Sequence, residues 1–181
     1  TQALAASGQR TMTVAPEAGS VKMRNIINKG ITEEHVFNAI ELAAAAGMKN
    51  IKLYYMLGLP GEADSDIEEM IAMIGRVREK MDAALNKGDL IISVNGFIPK
   101  PFTPFQWSPL CDVKTLKRRF KMLETAFKKA KHIQVQTESL KETVLQAVLA
   151  RGDRRIGAAL LEAFRREMPL KQVLKEQGLD I

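Results

Sequence analysis

Cysteine is almost absent. One residue in 181, Cys111, excludes a disulfide framework within the chain. It equally excludes a metal site or iron–sulfur cluster held by several cysteines of this chain. A reducing, cytoplasmic setting is the expectation. Histidine is nearly as scarce: His35 and His132 stand apart, with no Cys/His cluster around either, so no metal role is read from them. No apolar run approaches the roughly 20 residues that span a bilayer, so no membrane partner is expected. No charged n-region, apolar h-region and cleavage site open the chain as in a signal peptide.

What remains is ordinary globular composition, 46% apolar and 27% charged. Charge is uneven. Residues 1–99 carry 10 Lys+Arg against 12 Asp+Glu, and residues 100–181 carry 17 against 9. A basic second half fits solvated faces of amphipathic helices best, and nucleic acid such as RNA second. Thr1–Gly8 reads as the last turns of a helix closed by Gly8. A helix end is a poor start for a domain, which points to a chain cut from a longer one.

Arg10–Ala15 is β-branched and apolar, then stopped by Pro16. Ser20 caps a helix over Val21–Lys29, and Thr32 caps another that stops at Gly47. A strand follows at Ile51–Leu57. Ser65 and Glu68 form a capping box, ahead of apolar residues Ile67, Met70, Ile71, Ile74, Val77 and Met81 at helical period. Leu90–Val94 is a buried type of strand, with a Pro-rich loop from Ile98 to Pro109. Leu116, Phe120, Leu123 and Phe127 mark a helix, and His132–Gln136 a short strand. From about 139 onward the chain is helical, with a break near Gly152. The methionines read mainly as core. Trp107 is expected to pack its loop, Cys111 to be an inert side chain, and Arg151, Asp153, Arg154 and Arg155 to pair among themselves.

Strands thus begin near 10, 50, 89 and 132, each followed by helix. That is an α/β pattern of three to four βα units with parallel strands. A full eightfold barrel needs roughly 250 residues, so the expected fold is a partial (βα) barrel plus C-terminal helices. Residues 1–110 would form the barrel part. Residues 111–181 would form a basic, mostly helical extension with one short strand.

Unusual residues gather at the carboxyl ends of the strands, the face where such folds bind ligands. Ala15-Pro-Glu-Ala-Gly-Ser20 follows the first strand. Gly58-Leu59-Pro60-Gly61-Glu62 follows the second, and Asn95-Gly-Phe-Ile-Pro-Lys-Pro the third. Gly58 and Gly61 permit a tight turn and a close approach of backbone to ligand. Glu17 and Glu62 are acceptor-only carboxylates suited to ribose hydroxyls or an amine. Ser20 at a helix start, with Arg24 and Lys29 nearby, suits a carboxylate or phosphate. Each loop alone is also an ordinary turn or cap; the two on adjacent strands favour a ligand site.

Thr13–Ser20, Ile27–Glu34, Leu53–Glu62 and Phe97-Ile-Pro-Lys-Pro-Phe-Thr-Pro-Phe-Gln-Trp107 resemble the second half of a radical S-adenosylmethionine (SAM) barrel. The group that often carries a cobalamin-binding domain is the most similar, and Ala150–Gly157 resembles the segment after its barrel. The resemblance implies a barrel of six βα units, with SAM and a [4Fe–4S] cluster held by a C-x3-C-x2-C loop. SAM would be cleaved to a 5′-deoxyadenosyl radical, with cobalamin a further cofactor in some members. By position, Glu17 would contact ribose, Gly58 to Glu62 would receive adenine, and Asn95 would lie near the base. Arg24 or Lys29 would meet the SAM carboxylate. Val21 departs from the family's usual acid, a surface change. The cysteine motif is absent, so the chain would be an inactive fragment of a radical SAM enzyme whose main partner is its own N-terminal remainder. The alternative is a basic RNA-binding or oligomerisation module, the latter through exposed strand edges.

Overall fold

A computed structural model of the chain describes residues 1–84 and 88–179. Among them run α1 (Gln2–Ala6), β1 (Thr11–Glu17), α2 (Val21–Ile26), α3 (Glu33–Ala45), β2 (Asn50–Leu57) and α4 (Asp64–Ala84). These are followed by β3 (Leu90–Gly96), α5 (Val113–Phe127), β4 (Ile133–Thr137), α6 (Leu140–Arg151), α7 (Arg154–Arg165) and α8 (Leu170–Glu176). No helix among the described residues is long and apolar enough to cross a membrane. The chain divides into two compact units. One joins Thr1–Gly96 to Cys111–Glu138; the other joins Phe97–Leu110 to Ser139 and the helices after it.

The first unit is a partial βα barrel. Its four strands are parallel and lie in chain order, β1-β2-β3-β4. The sequence of β2 explains which face is covered. Ile51, Leu53, Tyr55 and Leu57 are fully buried, while Lys52, Tyr54 and Met56 between them are half-buried. A parallel sheet covered on both faces reads as an unbroken apolar run; this alternation marks a sheet with helices on one face only. The register continues the division across strands. Val14, Leu53, Ile92 and Val135 share the helix-side row, and Tyr54, Ser93 and Gln136 share the other. Val36 and Ile40 of α3 fill the helix side with Ile67, Met70, Ile74, Val77 and Met81 of α4 and Leu116 and Leu123 of α5. Each such side chain contributes about 1.5–3 kcal/mol by leaving water.

Three expectations need correction. Pro16 does not stop β1, which runs on to Glu17. The ladder with β2 is irregular between Val14 and Glu17, so the missing proline N–H falls at a bulge on an edge strand, where proline is tolerated. Helix α2 ends at Ile26 rather than Lys29, because Asn28 turns to φ +54°. And α4 starts at Asp64, ahead of the capping box read at Ser65 and Glu68. Asp66 takes the Ala63 N–H at 2.7 Å instead.

In the second unit a small core of Ala159, Ala163, Val173 and Leu174 is flanked by Val148, Ile156, Met168, Leu170 and Leu179. The Pro-rich loop packs Phe97 edge-on to Phe105 at 5.7 Å, and Arg151 donates to the Ser108 carbonyl at 2.8 Å. Trp107, expected to pack, is 87% exposed.

Candidate ligand site at the strand ends

Strand β1 leads into a loop fixed from several sides. Glu17 sits at φ +69°, a left-handed backbone that costs a non-glycine residue about 1–3 kcal/mol. Its carboxylate is 3.4 Å from the Lys29 Nζ. Gly19 presses on α4 so closely that a Cβ there would lie 2.2 Å from Met70 Cβ. Ser20 caps α2 by accepting the Met23 N–H at 3.1 Å. Arg24, only 4% exposed, donates to the carbonyls of Ala18 (3.1 Å) and Gly19 (2.7 Å). Its guanidinium is thereby committed to holding the loop from within.

The loop after β2 is built around Glu62. Gly58 (φ +89°) and Gly61 (φ +78°) both need the left-handed region, which explains the two glycines. They differ in surroundings. A Cβ on Gly58 would meet Cys111 Cβ and Leu116 Cδ2 at 2.8 Å, whereas one on Gly61 would meet nothing within 4 Å. Gly58 is therefore required by the protein's own packing, and Gly61 leaves its backbone open. The Glu62 side chain, 1% exposed, turns inward. It accepts the Gly58 N–H at 2.6 Å and Arg119 Nη1 at 2.8 Å, while Arg119 Nη2 donates to the Glu62 carbonyl at 2.6 Å. Burial pushes the Glu62 carboxyl up to about 7, against the pull of the Gly58 N–H and of Arg119. Asp64 adds further contacts to Arg118 and Arg119.

Asp66 ties the two loops together. One carboxylate oxygen accepts from Ser20 Oγ at 2.6 Å. The other accepts from Lys22 Nζ and from the Ala63 N–H, both at 2.7 Å. Lys22 also reaches the Gly61 carbonyl at 3.3 Å. Burial raises the Asp66 carboxyl, but the Ala63 N–H, Lys22 and Ser20 outweigh it and hold the group below its ordinary range. A single buried carboxylate thus fastens the loop carrying Ser20 to the loop carrying Gly61.

Of the residues singled out in the sequence, Ser20, Arg24, Gly58 and Leu59 are buried parts of this ledge, and Glu17, Pro60 and Glu62 are half-buried. Gly61 is exposed on it. Asn95 is exposed at the end of β3, paired in register with Met56. The residues that bind the ledge together, Asp66, Lys22 and Arg119, were not among those singled out. Asp66 had one visible signal, the alternation Glu62-Ala-Asp64-Ser-Asp66 ahead of an apolar helix. Arg119 had none: it lies 57 residues beyond Glu62, among many cations of α5.

These residues can bind and orient a ligand. They do not suit an iron–sulfur cluster. Cys111 is the chain's single cysteine, burial pushes its thiol up, and it packs against Gly58. Among the described residues no group of three His, Cys, Asp or Glu is placed to hold a metal.

The family model described as the radical SAM superfamily matches residues 1–74, which hold β1, β2 and both loops of the ledge. The "Uncharacterized protein MJ0966" of Methanocaldococcus jannaschii is 40% identical over 151 residues, 83% of this chain. The chain spans 32% of the length of that relative.

Proposed function

Residues 1–74 make this chain a member of the radical SAM superfamily, and on that premise we propose that it forms the adenosyl-receiving side of a SAM site within a larger iron–sulfur enzyme. The observation that carries this reading is the Asp66 clip. Two loops at the ends of adjacent parallel strands are locked into one rigid ledge, which is how a protein preorganises a ligand site. The open backbone at Gly61 gives a flat ring a place to approach without a Cβ in the way. In this reading Leu59 to Gly61 receive the adenine and Glu17 faces the ribose. Asn95 lies at the rim beside the base. Glu62 and Arg24 act indirectly, by shaping the two loops. SAM, when bound with a reduced cluster, supplies the radical chemistry; the chain's own residues bind, orient and exclude water.

The cluster would come from the chain's partner, the N-terminal remainder of the same protein. The outer edges of β1 and β4 give such a remainder somewhere to pair. Alone, this chain would be inactive.

The test is the longer natural reading frame. It is expected to show C-x3-C-x2-C about 90–110 residues before Glu17, two to three βα units upstream. After anaerobic reconstitution, SAM should alter the electron paramagnetic resonance spectrum of the reduced cluster. In that protein Asp66→Ala should require about tenfold more SAM for the same change, with iron content unaltered. A reading frame without those cysteines would end the enzyme reading.

A further inference from the structure

Helix α7 of the second unit is inverted. Its fully inward residues are small, Ala159 and Ala163, with Ile156 packed beside them, while its other large apolar residues point out. Leu160 and Leu161 are each 49% exposed and Phe164 82%. At 100° per residue, Leu160, Phe164, Gly157 and Leu161 form one continuous arc of the helix surface. That arc lines a groove of about 1010 Å³, with Met168 and Leu170 contributing further apolar wall. A contiguous exposed apolar patch of this kind marks an interaction site more often than chance exposure does. Gly157 sits mid-helix on the same arc with nothing within 4 Å of a would-be Cβ. A helix-interior glycine costs about 1 kcal/mol relative to alanine, and here it keeps the groove floor low enough for another backbone to come close.

The arginines of α7 indicate what the groove fits. Arg155 and Arg166 lie on the side away from the arc, and both are paired, Arg155 with Asp153 and Arg166 with Glu162 and Glu176. Arg154 and Arg165 lie beside Leu161 at the margin of the arc. Among the described residues neither has an ion-pair partner. They are eleven residues apart, about three turns or 16 Å along the helix. Glu167, also on the groove wall, is a single opposing charge.

We propose that this groove docks an acidic amphipathic helix. Apolar side chains at i, i+3 or i+4, and i+7 would fill the space beside Leu160, Leu161 and Phe164. Carboxylates about three turns apart on one flank would meet Arg154 and Arg165. A second copy of the chain fits less well, because a symmetric pairing would bring the same unpaired arginines together. A lipid surface fits less well too, since Glu167 on the groove wall would face anionic headgroups.

The experiment uses the chain as it stands and three fluorescein-labelled synthetic peptides of about 18 residues, five helical turns. One presents leucines at helical spacing with a glutamate flank, the second has lysines on that flank, and the third is a scramble of the first. Fluorescence anisotropy should show saturable binding of the acidic peptide, at least about tenfold tighter than the lysine peptide. The double variant Arg154→Glu/Arg165→Glu should reverse that preference, and Phe164→Ser should abolish both. Circular dichroism and thermal melts confirm that these surface variants stay folded. The proposal is overturned if the native chain does not bind the acidic peptide or binds the scramble equally. Equal binding of the acidic and lysine peptides, or binding that survives Phe164→Ser, overturns it as well. So does a dimer in sedimentation that Phe164→Ser disperses. Tighter association with phosphatidylserine vesicles than with the acidic peptide assigns the face to membrane and likewise overturns it.

Discussion

Three arginines of the first unit face inward, and those of α7 face out. Arg24, Arg78 and Arg119 are 4%, 8% and 6% exposed, and each donates to backbone carbonyls of a loop. Arg24 holds Ala18 and Gly19 after β1. Arg78 holds Gly88 before β3. Arg119 holds Glu62 after β2. The guanidinium has five donors in a fixed fork and remains charged, so one buried arginine can fasten a loop at several points. In α7 the same residue type stands in solvent, in part without an ion-pair partner among the described residues, beside large exposed apolar side chains. The contrast is between a region whose buried polar groups, Arg78 Nε apart, are satisfied within the fold and one whose surface is complementary to something outside it. The first is costly to disturb, and the second is not.

The largest expected effect comes from Arg119. Arg119→Ala leaves the Glu62 carboxylate buried without its ion pair, a loss of about 3–5 kcal/mol. Urea unfolding at pH 8 should show it. Adding Glu62→Gln should restore part of the loss, since the orphaned charge is then gone. Full additivity of the two substitutions would mean that the pair does not act as a unit.

Next comes the clip. Asp66→Ala removes the acceptor for Ser20 Oγ, the Ala63 N–H and Lys22 together, and should cost about 3 kcal/mol. Lys22→Ala should cost under about 1 kcal/mol, because its ammonium is half in water. Equal costs would show that the ion pair rather than the buried carboxylate holds the loops.

A smaller effect is set by pH. Glu62 is raised in the folded state to about 7, above its ordinary value of 4.5. The folded chain therefore binds this proton more tightly than the unfolded one. The stabilisation is fully present below about pH 4.5 and is lost as pH rises through 7, amounting to about 3 kcal/mol. Denaturation midpoints between pH 5 and 8 should fall with pH in the native chain and level off in Glu62→Gln. Asp66 works in the opposite sense and lower down: its contribution is present above its ordinary range and lost as pH falls through its lowered folded value.

Local patterns were legible wherever neighbours in sequence decide the outcome. The run Ile51-Lys-Leu-Tyr-Tyr-Met-Leu57 announces a strand, and the strand spacing announces parallel βα units. The glycines at 58 and 61 announce a tight turn. What was not legible depends on partners distant in the chain. Glu62 after Pro-Gly looks like an open acceptor, and only Arg119 reveals that it is the centre of its own loop. Gly58 looks like a ligand cradle, yet Cys111 and Leu116 already fill the space beside it. Asp66 was hidden behind a plausible capping box at Ser65 and Glu68, because a helix start slips by a residue or two with little change in pattern. The stretch of α7 reads as helix, but alanine and phenylalanine count alike in an apolar period. The pattern could not say that the alanines face in and Phe164 faces out.

The smallest expected effect is the sharpest test of the contrast between the two regions. Phe164→Ser removes a large aromatic side chain, which from a packed core would cost about 3–5 kcal/mol. At 82% exposure Phe164 has little packing to lose, so its unfolding midpoint should shift by no more than about 0.5 kcal/mol equivalent. Leu174→Ala, from the fully buried core of the same unit, should cost about 2–5 kcal/mol and serves as the internal reference. If Phe164→Ser destabilises the chain as much as Leu174→Ala does, then Phe164 is already covered in solution. The outward face of α7 would then belong to the core, and the difference from the first unit would vanish. A neutral result, with the reference variant clearly destabilised, leaves the apolar face of α7 without a folding role and so makes binding its remaining physical use.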